Sequence, residues 1–392
     1  MRRLSQLDGI RGFAIAAVLA DHLGSIIGLG ISRNPVLLAI DNLMLAGWLG
    51  VDVFFVLSGF LITGIILKDR SEPGFWSNFY LRRAFRILPA FAVIFTITLV
   101  AAHYFAPQIH VTSGYVLPAI FFLANWTAVT QTEMPWLGHI WSLAVEEQFY
   151  FLWPQAAKRL NKVTLLKLAL ALVVASELLR VLLAVIYVRG EIIFKITPTR
   201  IDGLSIGAAL AVGITLPEVQ RFLANWWRRI AIVAAALLCC IFFAFHGSLA
   251  PISKWSQIFA IPPAIVLTSM LIFGALESAL PSGLARFFGN PVMTYLGRRS
   301  YALYLIHGPL RVAVQASRVH GTLANLPQGV GVDILLVLSI LVISLILSEL
   351  SWRLIEMPAQ NLRHRLMRKK EDGTPGHLPE EEVIVRLAEE SQ

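Results

Sequence analysis

Charge and cysteine are both scarce in this chain, and each scarcity excludes something. Asp, Glu, Lys and Arg make up 15% of its 392 residues, against about 25% in a soluble domain. A water-facing globular surface cannot be built from so few charges. The two cysteines, Cys239 and Cys240, are neighbours in an apolar run. That rules out a disulfide framework and a cysteine metal site. No Walker loop, Rossmann fingerprint, HExxH, CxxC or GxSxG motif occurs. Neither a tightly bound cofactor nor a metal is therefore expected. No internal repeat stands out, as many transporters would show.

What the chain has instead is apolar length. Hydrophobic residues make up 57% of it, and runs long enough to span a bilayer lie near 10–30, 48–68, 87–106, 163–188, 200–216, 230–246, 256–278, 299–319 and 331–355. The region 114–157 holds two further runs, 114–131 and 138–157. The net charge of +9 would suggest nucleic acid in a soluble protein. Here Lys and Arg cluster between apolar runs and act as topology signals, so the expected partner is a lipid bilayer and not nucleic acid. The first run carries Arg11, Asp21 and His22, and is expected to be retained as a span, not cleaved as a signal peptide.

Positive-inside counting puts Arg2 and Arg3, the 69–86 loop and the cluster from Lys158 to Lys167 in the cytoplasm. The 114–157 region must then cross once in net terms, with either run as the span. The 189–200 loop falls outside despite Arg189, Lys195 and Arg200. The expected fold is an all-α polytopic membrane protein of about ten transmembrane helices, with cytoplasmic termini. Residues 1–365 form the membrane domain and 366–392 a charged cytoplasmic tail, with a short helix at 379–390. No appended soluble domain is expected.

Ionisable groups inside spans mark candidate sites. Arg11 and His22 are 11 residues apart, close to three full turns, so they share a helix face with His22 roughly 16 Å deeper. Arg83 and Arg86 share a face of a short surface helix, where guanidinium forks suit phosphate, on a lipid headgroup or on a ligand such as coenzyme A. Glu146 lies in an apolar run with Glu147, Gln148 and Tyr150, on one stripe with His139 and Ser142. It could orient or protonate a histidine of another helix, or form a structural ion pair with an arginine. Asp52 opens the second span; Arg200 and Asp202 open a later one. Glu177 and Arg180, and likewise Arg353 and Glu356, are spaced i, i+3 and could pair. His307 follows Tyr301 and Tyr304 in another span, and a tyrosine-bonded structural histidine is the expectation there.

Seven segments taken in order resemble one family. They are LDGIRGFAIAAVLADH, GVDVFFVLSGFLI at 50–62, YLRRAFRILPAF at 80–91, IWSLAVEEQFYFLWP at 140–154, RIDGLSIGAAL at 200–210, RRSYALYLIHGP at 298–309 and WRLIEMP at 352–358. The chain from about residue 5 to 365 is similar to the acyltransferase family 3 membrane proteins, bacterial inner-membrane O-acyltransferases of surface and secreted glycans. Some members carry a fused extracytoplasmic esterase-like domain; this chain is expected to be of the type without it. The resemblance puts the family's Arg-x10-His pair on Arg11 and His22, its RxxR motif on Arg83 and Arg86, and its WSLxVE glutamate on Glu146.

The resemblance implies acetyl-CoA or another short acyl-CoA as a cytoplasmic donor, gripped by Arg11, Arg83 and Arg86. It implies His22 and Glu146 as the catalytic pair, and a glycan or lipid-linked glycan as acceptor. Asp52, Tyr150, Arg200, Asp202 and His307 would bind substrate or support the site. Two other classes compete: a transmembrane acyl conduit that feeds a separate transferase, and a polytopic transporter.

Overall fold

No water is available in hydrocarbon to bond a backbone amide, so each apolar run closes its own hydrogen bonds as a helix. The computed structural model describes residues 2–27, 34–105, 113–132, 135–320, 323–327 and 329–368, and among them there are helices, turns and loops but no strand. The longer helices are α1 (Arg2–Ile27), α2 (Pro35–Leu45), α3 (Gly50–Asp69), α4 (Phe75–Phe105), α5 (Trp141–Arg159) and α6 (Lys162–Val185). They continue as α7 (Thr197–Gly213), α8 (Pro217–Ala244), α9 (Lys254–Leu276), α10 (Pro291–His320), α11 (Val330–Ser351) and α12 (Met357–Arg368).

Seven stretches among the described residues are long and apolar enough to cross a membrane. They are Ser5–Ile27, the joined α2 and α3, then α4, α6, α8, α9 and Val330–Leu366. This is a multi-pass membrane protein. The remaining expected spans correspond to α5, α7 and α10: α7 is only 17 residues long, and α5 and α10 carry charged residues, among them Glu146 and Glu147, and Arg298 and Arg299. α7 is buried along most of its length, whereas α8 leaves most of its apolar surface exposed.

Several local expectations change. Residues 35–45, unassigned from sequence, form α2, started by Pro35 and capped by Asn34, whose Oδ1 accepts from Val36 N at 2.9 Å. The run 114–131 breaks into the helix Ser113–Ile120 and short turns, so 138–157 supplies the long helix α5. The arginines at 82–86 do not sit on a separate surface helix: α4 runs unbroken for 31 residues with Pro89 inside it. Of the expected tail, residues 369–392, and with them the helix at 379–390, lie outside the described residues.

Two contacts set the frame of the site. α3 and α7 touch backbone to backbone: a methyl on Gly59 would stand 1.9 Å from the Leu204 carbonyl oxygen, so only glycine permits this approach. α1 and α10 run in the same direction. Arg298 Nε donates to Asp8 Oδ2 at 3.1 Å near their starts, and His22 meets His307 further along.

Candidate active site

Three imidazoles meet where α1, α10 and the turn Pro135–Ile140 converge. His22 Nδ1 lies 2.7 Å from His307 Nε2. His307 Nδ1 lies 3.0 Å from the carbonyl oxygen of Leu303, one turn back on its own helix. His139 packs its ring against His307, with centroids 5.1 Å apart. The His139 ring can stand there because position 308 is glycine: a methyl would meet its Cε1 at 2.3 Å. Tyr304 fastens the turn to α10. Its hydroxyl donates to the His139 carbonyl and accepts from Ser142 Oγ on α5 at 2.7 Å.

The three rings differ in burial, and His22 and His139 are each partly buried. His307 is fully buried, while the His22 side chain is 29% exposed. Two charges flank His22. Asp21 Oδ2 is 3.9 Å from His22 Nε2, and Arg311 Nη1 is 3.5 Å from the His22 carbonyl oxygen. His139 Nε2 is buried without a hydrogen-bond partner. Among the described residues no group of three or more His, Cys, Asp or Glu side chains is arranged to hold a metal ion.

A second polar cluster lies along α5. Glu146 accepts from Ser58 Oγ of α3 at 3.0 Å and from Tyr150 OH at 3.3 Å. The Arg83 guanidinium stacks over the Tyr150 ring, 5.0 Å from its centroid. Arg83 and Arg86 both lie close enough to Glu146 and Glu147 to act on them electrostatically. One oxygen of Glu147 is buried without a hydrogen-bond partner. Such a group is costly unless a ligand or water completes it. α10 connects the two clusters. Tyr301 binds the Ile87 carbonyl of α4 at 2.9 Å, Tyr304 binds Ser142, and His307 binds His22, at steps of three residues.

The sequence-derived candidates fall into three groups. His22 and His307 are brought together. Glu146, Tyr150, Arg83 and Arg86 form the second cluster. Glu146 is not the partner of His22: Ser58 and Tyr150 engage its oxygens, and His307 takes the imidazole. His307 is likewise not bonded to Tyr304, because residues spaced i, i+3 point along a shared face and here each reaches a different neighbouring helix. Arg11 lies in the first half of α1, 3.6 Å from Asp8.

Asp52, Arg200 and Asp202 are engaged by protein charges. Arg200 Nη2 donates to Asp52 Oδ1 at 2.8 Å, with both side chains fully buried. The rings of Phe55, Trp141 and Phe194 surround that guanidinium at 5.5, 5.6 and 5.1 Å. Asp202 pairs with Arg180 at 2.7 Å, and Arg180 also binds Glu177. The other i, i+3 expectation changes: Arg353 pairs with Glu349 at 2.7 Å, and Glu356 accepts from Ser351. Sequence reasoning left Asp21, His139 and Arg311 out of the site. Asp21 sits beside His22 in the same apolar run, and Arg311 is one turn past His307, so intramembrane charge next to a histidine was the available signal.

The sequence model of an acyltransferase domain family (Acyl_transf_3) matches residues 4–352. The chain belongs to this acyltransferase family. Among its relatives is a peptidoglycan O-acetyltransferase, OatA, of Listeria monocytogenes, 28% identical over 372 residues, which cover 90% of this chain and 55% of the relative. Another is the O-acetyltransferase OatA of Staphylococcus aureus, 26% identical over 376 residues, covering 91% of this chain and 57% of the relative. The chain thus spans little more than half the length of these curated relatives. No solved structure matches it.

Proposed function

We propose that this protein is a membrane O-acyltransferase. It moves an acetyl or other short acyl group from acyl-CoA, presented on the cytoplasmic side, to a hydroxyl of a cell-surface or secreted glycan or glycolipid. The observation that carries this reading is His22: a partly exposed imidazole inside a bundle, at the family's Arg-x10-His position, held by a second imidazole. The names of the two relatives, O-acetyltransferases, support the acyl group and the glycan class.

The chemistry needs few parts. His22 takes the proton of the acceptor hydroxyl as its oxygen attacks the thioester carbonyl. The carbon–sulfur bond then breaks, and the thiolate of coenzyme A recovers the proton. Arg83 and Arg86, with Arg11, supply cations for the phosphates of the donor. The Tyr150 ring supports Arg83, and Glu146 lies within its electrostatic reach.

The same reading assigns ten spans, with α5, α7 and α10 added to the seven apolar stretches. Those three face other helices, so they need not be uniformly apolar. It places the termini in the cytoplasm and the protein in the bacterial inner membrane. The test is His22→Ala in protein inserted at normal levels, read by mass spectrometry of surface glycans. Loss of acylation is expected; unchanged acylation removes His22 from the mechanism.

One observation favours a second reading. The relatives extend well beyond the matched part, so in them the membrane part acts beside further sequence. The matched part would then be an acyl conduit to another transferase. Purified protein given acetyl-CoA and a soluble glycan separates the two: an enzyme acylates the glycan unaided, a conduit does not.

A further inference from the structure

We propose that His307 is a positioning residue that fixes the tautomer of His22 and so creates the lone pair that accepts the proton. The inference rests on the reading of His22 as the base, but its argument is geometric. A backbone carbonyl oxygen only accepts hydrogen bonds. The 3.0 Å contact between His307 Nδ1 and the Leu303 oxygen therefore puts a proton on that nitrogen. In a neutral imidazole one nitrogen donates and the other accepts. His307 Nε2 is then the acceptor, and His22 Nδ1, 2.7 Å away, is the donor. This leaves His22 Nε2 as the lone pair.

The chain of assignments starts at a backbone carbonyl inside α10, which cannot rotate away. His307 is fully buried, and the His139 ring supports it from the side at 5.1 Å. The two bonded rings are within 14° of parallel. The nitrogen left bare on His22 is the one 3.9 Å from Asp21 Oδ2. A carboxylate at that spot would draw a proton onto Nε2 if His307 did not hold the proton on Nδ1. His307 therefore works against Asp21, and the bond to His307 remains available when His22 becomes protonated during transfer. Fixing a tautomer through the second ring nitrogen is the general use of such a partner.

Two substitutions separate positioning from packing. His307→Leu keeps volume and removes the acceptor. His307→Gln offers an amide oxygen to His22 Nδ1–H. The proposal expects His307→Leu to lower acyl transfer by about 100-fold at unchanged membrane level, and His307→Gln to restore it to within about tenfold of the wild type. A packing role predicts the reverse order, since Leu is the better apolar filler.

The direct readout is nitrogen-15 magnetic resonance of histidine-labelled protein in bilayers, with the His22 signals assigned by their loss in His22→Ala. Wild-type His22 should carry its proton on Nδ1; in His307→Leu it should move to Nε2. A wild-type His22 protonated on Nε2 overturns the proposal, as does an unchanged tautomer in His307→Leu. Because the wild-type spectrum is itself decisive, misfolding of a variant does not shield the idea. If His22→Ala keeps full activity, the base reading falls, while the spectra still decide whether His307 sets the tautomer.

Discussion

Two buried polar regions of this bundle share an ingredient, charge or imidazole at membrane depth, and differ in what is left over. Around Arg200 the guanidinium meets Asp52 and is enclosed by three aromatic rings, with both partners fully buried. Nearby, Arg180 is shared by Asp202, Glu177 and the Thr199 carbonyl. Around His22 the hydrogen-bonded partner is another imidazole, Asp21 and Arg311 stand beside it, and the His22 side chain remains 29% exposed. Arg200 Nε and Nη1 and Asp52 Oδ2 have no hydrogen-bond partner, but both side chains are fully buried, so no exposed side is left for a ligand. A partly exposed imidazole with one nitrogen bonded and one free can take one. The first region reads as framework holding α3, α6 and α7 together; the second is the proposed site of the chemistry.

The largest expected effect tests the second half of that contrast. His22→Ala should lower glycan acylation by about 10²–10⁴-fold, the range for removal of a general base, with an unchanged melting temperature in detergent. If melting and activity fall together, His22 belongs to the framework and the contrast dissolves.

The next effect tests the framework. Asp52→Ala leaves Arg200 charged and unpaired, which should cost about 3–5 kcal/mol. The double change Asp52→Leu with Arg200→Leu removes both charges and should recover much of that loss. Thermal unfolding in detergent measures both. Activity per folded molecule should stay near normal in the double variant; a specific loss there would move Arg200 from framework to substrate contact.

A smaller effect concerns the donor end. The Arg83 guanidinium stands over the Tyr150 ring, 5.0 Å from its centroid, and Lys, which lacks the planar fork, is a poor substitute there. Arg83→Lys should raise KM for acyl-CoA about tenfold with kcat nearly unchanged, the equivalent of one charge-assisted hydrogen bond of about 1.5 kcal/mol. A fall in kcat at constant KM would place Arg83 at the reacting carbonyl instead.

The sequence exposed these regions unevenly. His22, Glu146 and Arg200 were visible because an ionisable group in an apolar run is costly and needs a reason. Their partners were not visible. His22 and His307 are 285 positions apart, and Arg200 and Asp52 are 148 apart, so only helix packing brings them together. Local spacing misled at Tyr304 and Glu356, since residues on one helix face share a direction but bond to whatever the next helix offers. The same physics explains the helices. Runs facing lipid must be apolar throughout and register on hydropathy; α7, enclosed by other helices, is only 17 residues long and can carry Arg200 and Asp202. α2 escaped notice because an 11-residue apolar piece is too short to read as a span.

The smallest effect sharpens the comparison most finely, because it disturbs the open region without removing a polar atom. Gly308 is the seat of the His139 ring, and a methyl there would meet Cε1 at 2.3 Å. The obstructing atom belongs to a side chain, so the ring can move, and Gly308→Ala should cost only about 1–3 kcal/mol. The consequence should instead appear in catalysis. If His139 shifts, the side support of His307 goes, and the bond from His22 to His307 loosens without losing its partner. Acyl transfer should fall by a few-fold, less than in His307→Leu. In the sealed region, Gly59→Ala drives a methyl into the Leu204 carbonyl at 1.9 Å, where the backbone cannot swing aside. That variant should lose folded protein before it loses turnover. Measuring both variants for melting temperature and for activity per folded molecule puts the contrast in one experiment: a steric insult in the framework is read as stability, and a gentler one beside the imidazoles is read as rate. Equal losses on both scales for both variants would erase the distinction between the two regions.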